Sequence, residues 1–372
     1  MSGPLRIAQV APPIERVPPE GYGGTERVIY ELVKELVARG HDVTTYASGD
    51  SEVPGRLVPT VPSALRVGGF GDDPTGFILS TMQQALDEAD GYDLIHSHLE
   101  WSSVMLARGT SVPVAATFHG RLDLPWAREV FARAESTRLV AISESQMADH
   151  PDVDWTVVHN GLDLSAAPFE RRRSEDLCFV GRVNPEKGIL DAMEIAKLSG
   201  RHLKIAAKIG TTPPEVAYNE DVFQPALKAA GSSVEFLGEV TGEERDALVA
   251  SSYAALMPGS WPEPFGLVAI ESLACGTPIL ARSVGGLTEI IRPGVDGFFG
   301  DDNMQLAFNV DRVADLDREA IRASVIDRFS AKRMADGYEA LYRQMLGADA
   351  AEEEGAAAGV VEMATRRSGT AS

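Results

Sequence analysis

The chain has 372 residues, 44% of them hydrophobic and 7% aromatic, with 55 acidic against 34 basic residues and a formal net charge of −21. That is globular composition at a length that favours two domains. A negative excess of this size repels polyanions, which excludes nucleic-acid or anionic-membrane binding through a basic face; basic residues are outnumbered in the first half too.

The start, "MSGPLRIAQVAPP", has neither a basic n-region nor an apolar run, and no stretch approaches a membrane span, so the expected location is the cytoplasm. Short apolar runs predict strands at 5–11, 41–47, 92–98, 112–119, 138–143 and 155–161. Between the first two lies an amphipathic helix, 25–40, with Val28, Leu32, Leu36 and Val37 at helical spacing and Gly40 as its C-cap. Residues 54–76 are rich in Pro and Gly and read as a long irregular loop. After "FERRRSED" (169–176) the pattern restarts, with strands at 177–183, 202–209, 233–240, 253–259 and 277–283. Strand–helix alternation means parallel sheets covered on both faces, hence an α/β fold of two doubly wound domains, 1–165 and 166–329. A last helix, 330–346, has no following strand and is expected to pack back on the first domain. Residues 347–372 are low-complexity and read as a disordered tail. Cys178 and Cys275 have no second Cys or His at ligand spacing and read as buried thiols.

In open parallel sheets ligands bind beyond the carboxyl ends of the strands. After the first strand, "PPEGYGGTER" (18–27) sets Gly21, Gly23 and Gly24 before a helix, where backbone N–H groups can approach an anion. Taken alone this equally describes a tight turn. Position 26 is Glu, so the dinucleotide fingerprint G-x-G-x-x-G is absent and an NAD-dependent enzyme is disfavoured. His96 and His98 close one strand with side chains on one face, and His119 closes the next. No carboxylate stands at helical ligand spacing beside them, so no metal site is expected. His96 reads as a hydrogen-bonded packing residue; His98 and His119 are better placed to meet a substrate.

The second half opens with "FVGRVNPEKGI" (179–189), which delivers Arg182 and Lys187 to one strand end. Such a cation pair suits a phosphate-bearing ligand, although a solvated basic turn would have the same sequence. In "PGSWPEPFGLVAIESLACGTPILA" (258–281), Pro264 suits a first helical turn, and the apolar helix runs on to Gly276. Glu263 precedes that helix and can turn into a cleft, while Glu271 projects from it two turns on. The amides of Phe265, Gly266 and Leu267 face out of the N-terminus, ready for a diphosphate. The two carboxylates then suit hydroxyls at opposite ends of one ligand, a sugar and a ribose, better than a hydrolytic acid/base pair. The D-x-D stretches at Asp152–Asp154 and Asp315–Asp317 fall in a polar turn and a helical segment and read as solvated surface.

Over residues 5–346 the chain resembles the retaining glycosyltransferases of family 4, which have the GT-B architecture of two facing Rossmann-like domains. The motifs, in family order, are "GYGGTERV", "HSH", "TFHG", "AISES", "VHNGLDL", "VGRVNPEKG", "FLGEV", "EPFGLVAIE", "ACGTPILA" and "GGLTEII". "VPPEGYGGTERV" and "VHNGLDL" are similar to bacterial members typified by a transferase of avilamycin biosynthesis.

The resemblance implies a role for each matching residue. Gly23 and Gly24 face the donor phosphate. His119 contacts the donor sugar and assists the reaction. Arg182 and Lys187 neutralise the diphosphate, and Val240 holds the base through its backbone. Glu263 takes sugar hydroxyls, Phe265, Gly266 and Leu267 present amides, and Glu271 binds ribose. Asn160 and Gly161 fall on the interdomain crossover. His98 and Trp101 are candidates for acceptor contact. Where many relatives have a glycine-rich turn after "IAAKIG" (205–210), this chain carries Lys208, a further candidate neighbour of phosphate or base.

The implied reaction moves a hexose from a nucleotide diphosphate sugar, as substrate, to an acceptor hydroxyl with retention and with no metal or cofactor. The acidic N-terminal domain favours a small soluble or saccharide acceptor over a membrane lipid. Two rivals use the same scaffold, a phosphorylase or nucleotide-sugar hydrolase and a non-catalytic sugar-nucleotide binding module. Oligomeric state has no signature in the sequence.

Overall fold

The structure is a computed structural model and describes residues 3–21, 23–68 and 73–347. Most of the expected tail, 348–372, lies outside the described residues. Seven strands form the first sheet: β1 (Arg6–Val10), β2 (Asp42–Ser48), β3 (Arg56–Val61), β4 (Leu94–Ser97), β5 (Val114–Phe118), β6 (Thr137–Ala141) and β7 (Trp155–Val157). Six form the second: β8 (Leu177–Val183), β9 (Leu203–Ile209), β10 (Val234–Gly238), β11 (Ala254–Met257), β12 (Ile279–Ala281) and β13 (Gly297–Phe299). All pairings are parallel, in the orders β3-β2-β1-β4-β5-β6-β7 and β10-β9-β8-β11-β12-β13. β5 is buried at every position, which is why it reads as an unbroken apolar run rather than an alternating one.

The strand order reverses between β1 and β4 in one sheet and between β8 and β11 in the other. At these switch points the flanking connections leave in opposite directions and open a crevice beyond the strand ends. Gly23 and Gly24 follow β1, and His98 follows β4. Arg182 lies on β8 with Lys187 just beyond it, and Glu263 follows β11. Topology alone thus gathers the motif residues.

Three local expectations need correction. Residues 54–76 are not wholly irregular, since they contain β3 and the short helix Leu65–Gly68. β3 is an edge strand, where Pro59 is tolerated because only one side of the strand is paired. β13 was also unforeseen; its three residues, with Gly297 first, are too few to set up a period. The helix of the "EPFGLVAIE" motif starts at Leu267, not Pro264, because its N-cap Gly266 takes φ 113, a left-handed conformation that breaks the turn.

The chain passes between the domains twice at adjacent points. Leu162 bridges Ser330, its amide donating to Phe329 O at 3.1 Å while Ala331 N donates to Leu162 O at 3.0 Å. A Cβ on Gly161 would stand 2.3 Å from Ser330 O, so only glycine lets the two crossings touch. The final helix, 331–347, then lies on the first domain, burying Tyr338 and Tyr342. Elsewhere the domains meet through Ser143, whose hydroxyl donates to Pro264 O, and through Glu289. The Glu289 carboxylate accepts from the amides of Glu144 and Ser145 at 3.0 and 2.8 Å and from His159 Nε2 at 2.8 Å. Those bonds hold it below the usual carboxylate range against the cost of its burial.

Candidate active site

Between the domains lies a cleft of ≈ 1100 Å³. It is lined by Gly23, Gly24, His119, Asn160, Arg182, Lys187, Lys208, Val240, Glu263, Phe265, Gly266, Leu267 and Glu271. The structure does not bring His98 or Trp101 to it. His98 is buried behind His119, and Trp101 packs against Phe118, Trp126 and Phe131 in an aromatic cluster.

The wall from the second domain begins at the short turn Pro185–Lys187. Asn184 caps it, its side-chain oxygen accepting from Lys187 N at 3.0 Å. Gly188, at φ 71, ends the turn against the backbone of Pro258 and Gly259, too close for a Cβ. Lys187 is thereby aimed along the β11 loop. Its Nζ donates to Glu263 Oε1 at 2.8 Å and sits 5.2 Å from the centre of the Trp261 ring. Glu263 is fixed from behind: Gly286 N donates to Glu263 O at 2.8 Å, and a Cβ on Gly285 would meet that oxygen at 2.4 Å. The "GG" of "GGLTEII" is the seat of the Glu263 loop.

Arg182 reaches Glu215 at 3.4 Å and Lys208 reaches Glu239 at 3.2 Å. Among the described residues, nothing accepts a hydrogen bond from the amides of Gly266, Leu267 and Val268. Three cations and a row of free helix-terminal amides therefore share one wall, the combination that binds a diphosphate. Across the cleft, Gly24 opens the helix Gly24–Ala38, and its α-carbon hydrogen faces Leu267; a Cβ there would lie 3.1 Å from Leu267 Cδ1. Two helix N-termini thus meet over the same space, and their dipoles add.

His119 stands opposite, at the end of a buried polar chain. Tyr342 OH bonds His96 Nδ1 at 2.7 Å and accepts from Gln9 Nε2 at 3.1 Å. Gln9 Oε1 accepts from His98 Nε2 at 3.0 Å, and His98 Nδ1 is 2.9 Å from His119 Nε2. With Gln9 so oriented, His98 carries its proton on Nε2 and His119 donates from Nε2, leaving His119 Nδ1 as a lone pair. Burial pushes the imidazoles down, His96 to about 3, His119 to about 4 and His98 well below its ordinary value. All three are neutral at pH 7. Glu100, at φ 49, fixes the backbone beside them: Oε1 accepts from His119 N at 3.1 Å and Gly120 N at 2.7 Å.

Residues 22–166 match the family model described as Glycosyltransferase Family 4, and residues 164–325 the one described as Glycosyl transferases group 1. The chain belongs to the GT4-like glycosyltransferases. The glycosyltransferase is 28% identical over 331 residues to glycogen synthase of Mycobacterium tuberculosis, covering 75% of this chain and 79% of that one. It is 28% identical over 369 residues to D-inositol 3-phosphate glycosyltransferase of Mycolicibacterium smegmatis, with 84% and 82% covered. A glycosyltransferase involved in avilamycin A biosynthesis matches at TM-score 0.68 and 25% identity, over 93% of this chain and 99% of that one. Anabaena HepE in complex with UDP and glucose matches at TM-score 0.68 and 17% identity, over 91% and 99%. The fold is GT-B, as the motifs led us to expect.

Several residues of the glycosyltransferase site had no signal in the sequence. Arg27 and Arg245 both reach Glu271, at 2.6 and 2.9 Å. Glu26 lines the cleft while almost wholly buried, which pushes its carboxyl up to about 7. Gln9, Glu100, Tyr338 and Tyr342 sit behind His119. Cys178 and Cys275 are buried and free. Among the described residues, no three His, Cys, Asp or Glu side chains gather as metal ligands do, and no helix is long and apolar enough to cross a membrane.

Proposed function

We propose that this glycosyltransferase moves a hexose from a nucleotide diphosphate sugar, a UDP-sugar, to a hydroxyl of a small soluble or saccharide acceptor. The anomeric configuration is retained, and neither a metal ion nor a cofactor takes part. One convergence carries the reading: Arg182, Lys187 and the open amides of Gly266 to Val268 share a wall, with neutral His119 facing them. The UDP complex of HepE supports the choice of donor; a starch synthase bound to ADP and acarbose marks the alternative base.

In this reading the bond from the anomeric carbon to the diphosphate oxygen breaks as the acceptor oxygen bonds to the same face. The departing phosphate oxygen takes the acceptor proton. Charge grows on that phosphate, where fixed cations and amides need no reorganisation to meet it. Glu263, steadied by Lys187, takes donor-sugar hydroxyls. His119 Nδ1 accepts from another hydroxyl and, being neutral, adds no repulsion to an oxocarbenium-like centre. Glu271 takes the ribose, and Val240 and Lys208 border the base.

The test incubates pure protein with UDP-glucose, with and without saccharide acceptors, and assigns the product anomer by NMR. Acceptor-dependent formation of an α-linked product is expected. Turnover as fast without acceptor would instead support the hydrolase reading, and a β-linked product would overturn retention.

A further inference from the structure

Glu271 forms an ion pair with one arginine from each domain. Arg245, on the helix Gly242–Ser251, approaches Glu271 Oε1 to 2.9 Å. Arg27, on the first helix of the opposite domain, approaches the same oxygen to 2.6 Å. The carboxylate is 12% exposed and all three side chains line the cleft. Both guanidinium groups come closest to Oε1, which is buried and meets neither in hydrogen-bond geometry, so the pairing is ionic and Oε2 is the oxygen left to receive a ligand hydroxyl.

Arg27 has Glu31 one turn on as a favourable neighbour, but its placement is poor for its own helix. Arg27 lies near the N-terminus, where the helix dipole disfavours a cation; that end has no side-chain cap, and its first-turn acid is the buried Glu26. What it does serve is register across the cleft: Gly24 abuts Leu267, and three residues on, Arg27 meets Glu271. The N-terminal turns of the two helices run side by side, and the ion pair is the tie one turn in from the phosphate-facing ends.

We propose that Arg27 is a positioning residue of the nucleoside site, fixing the Glu271 carboxylate for the ribose diol and making ribose recognition depend on the first domain. This rests on the reading above in which Glu271 takes the ribose. The donor site is then shared: the second domain supplies the carboxylate and the first supplies its orientation. A free ammonium or an uncharged side chain at position 27 would leave Glu271 free to rotate onto Arg245 alone.

The test measures binding of UDP and of 2′,3′-dideoxyuridine diphosphate to the full chain by calorimetry. Wild type is expected to prefer UDP. Arg27→Ala and Glu271→Ala should each reduce that preference about tenfold, the worth of one charge-assisted hydrogen bond. Arg27→Lys should restore only part of it. Arg27→Gln, which keeps most of the side-chain stem, serves the same comparison if the alanine variant fails to fold. If Glu271→Ala leaves the preference intact, the ribose assignment is wrong and the proposal falls with it. If Glu271→Ala removes the preference and neither Arg27 variant changes it, the ribose assignment stands and the role of Arg27 is refuted.

Discussion

Lys187 Nζ lies 2.8 Å from Glu263 Oε1, joining the turn after β8 to the loop after β11. Both side chains are 23% exposed, so the attraction between them is offset in part by the cost of taking both charges out of water. In the proposed reading the pair's worth is in placement, because the ammonium that steadies the carboxylate assigned to the sugar also stands beside the wall assigned to the diphosphate. Lys187→Ala should lower kcat/KM by about 10²–10³-fold, the usual cost of losing one preorganised donor to developing charge. UDP affinity should fall with it. Unchanged kinetics in steady-state assays would remove Lys187 from the site.

Gly285→Ala should act on the same loop from behind. The added Cβ would lie 2.4 Å from Glu263 O, and φ is 58. Neither clash can be relieved by a side-chain rotation, so the Glu263 loop must move. We expect a loss of kcat/KM of about 100-fold, as for a misplacement of about 1 Å, while UDP binding at the Gly266 amides is less affected. A crystal structure of the variant with an undisplaced Glu263 would contradict this.

Acid should destabilise the first domain through its imidazoles. His96, His98 and His119 all have folded pKa values below the unfolded value of 6.5. In that window the unfolded chain binds more protons, so stability is intact above about pH 6.5 and is lost as pH falls towards 4. Glu26, raised to about 7, has the opposite sign, its contribution being full below the ordinary value of 4.5 and lost as pH rises through 7. His41 is lowered by burial as well, and Glu31 and Glu100 are raised with Glu26. The four imidazoles take up protons on unfolding just below pH 6.5, whereas the unfolded carboxylates do so only near 4.5, so the melting temperature should fall on acidification from pH 7 to 5. NMR should find no His119 titration between pH 6 and 8; a midpoint there would mean that the imidazole is not desolvated as described.

Tyr342→Phe should cost about 1–3 kcal/mol in urea unfolding, because it leaves buried Gln9 and His96 each short of a partner. It should also disturb the tautomer of His119 through Gln9 and His98, lowering kcat more than donor affinity. Tyr338→Phe, which removes one bond to Thr117, is the milder comparison.

Much of the cleft wall from the second domain was legible because its residues are neighbours in sequence. Arg182 and Lys187 leave one strand end, and Glu263 and Glu271 flank one helix, so strand ends and helix starts place them without tertiary knowledge. The chain behind His119 was not, since Gln9 meets Tyr342 across 333 positions. Arg27 and Glu271, 244 positions apart by their numbering, belong to different domains and look like ordinary surface charges in isolation. His98 and Trp101 carried the right chemistry for a sugar, but strand geometry turns one behind His119 and packing turns the other into the aromatic cluster. β3 was hidden by Pro59, a residue that argues against strand everywhere except at an edge.

The double crossing at Leu162 and Ser330 has a mechanical consequence. Two chain segments tied by paired backbone bonds should act as a hinge pin, permitting rotation of the lobes and resisting their sliding past one another. Because the final helix is bonded to the first lobe through Tyr338 and Tyr342, His119 and its supporting tyrosines should move as one rigid jaw. Rotation about that pin would widen the mouth farthest from it and bring Arg27 back to the same bite on Glu271, an expectation that scattering with and without UDP checks.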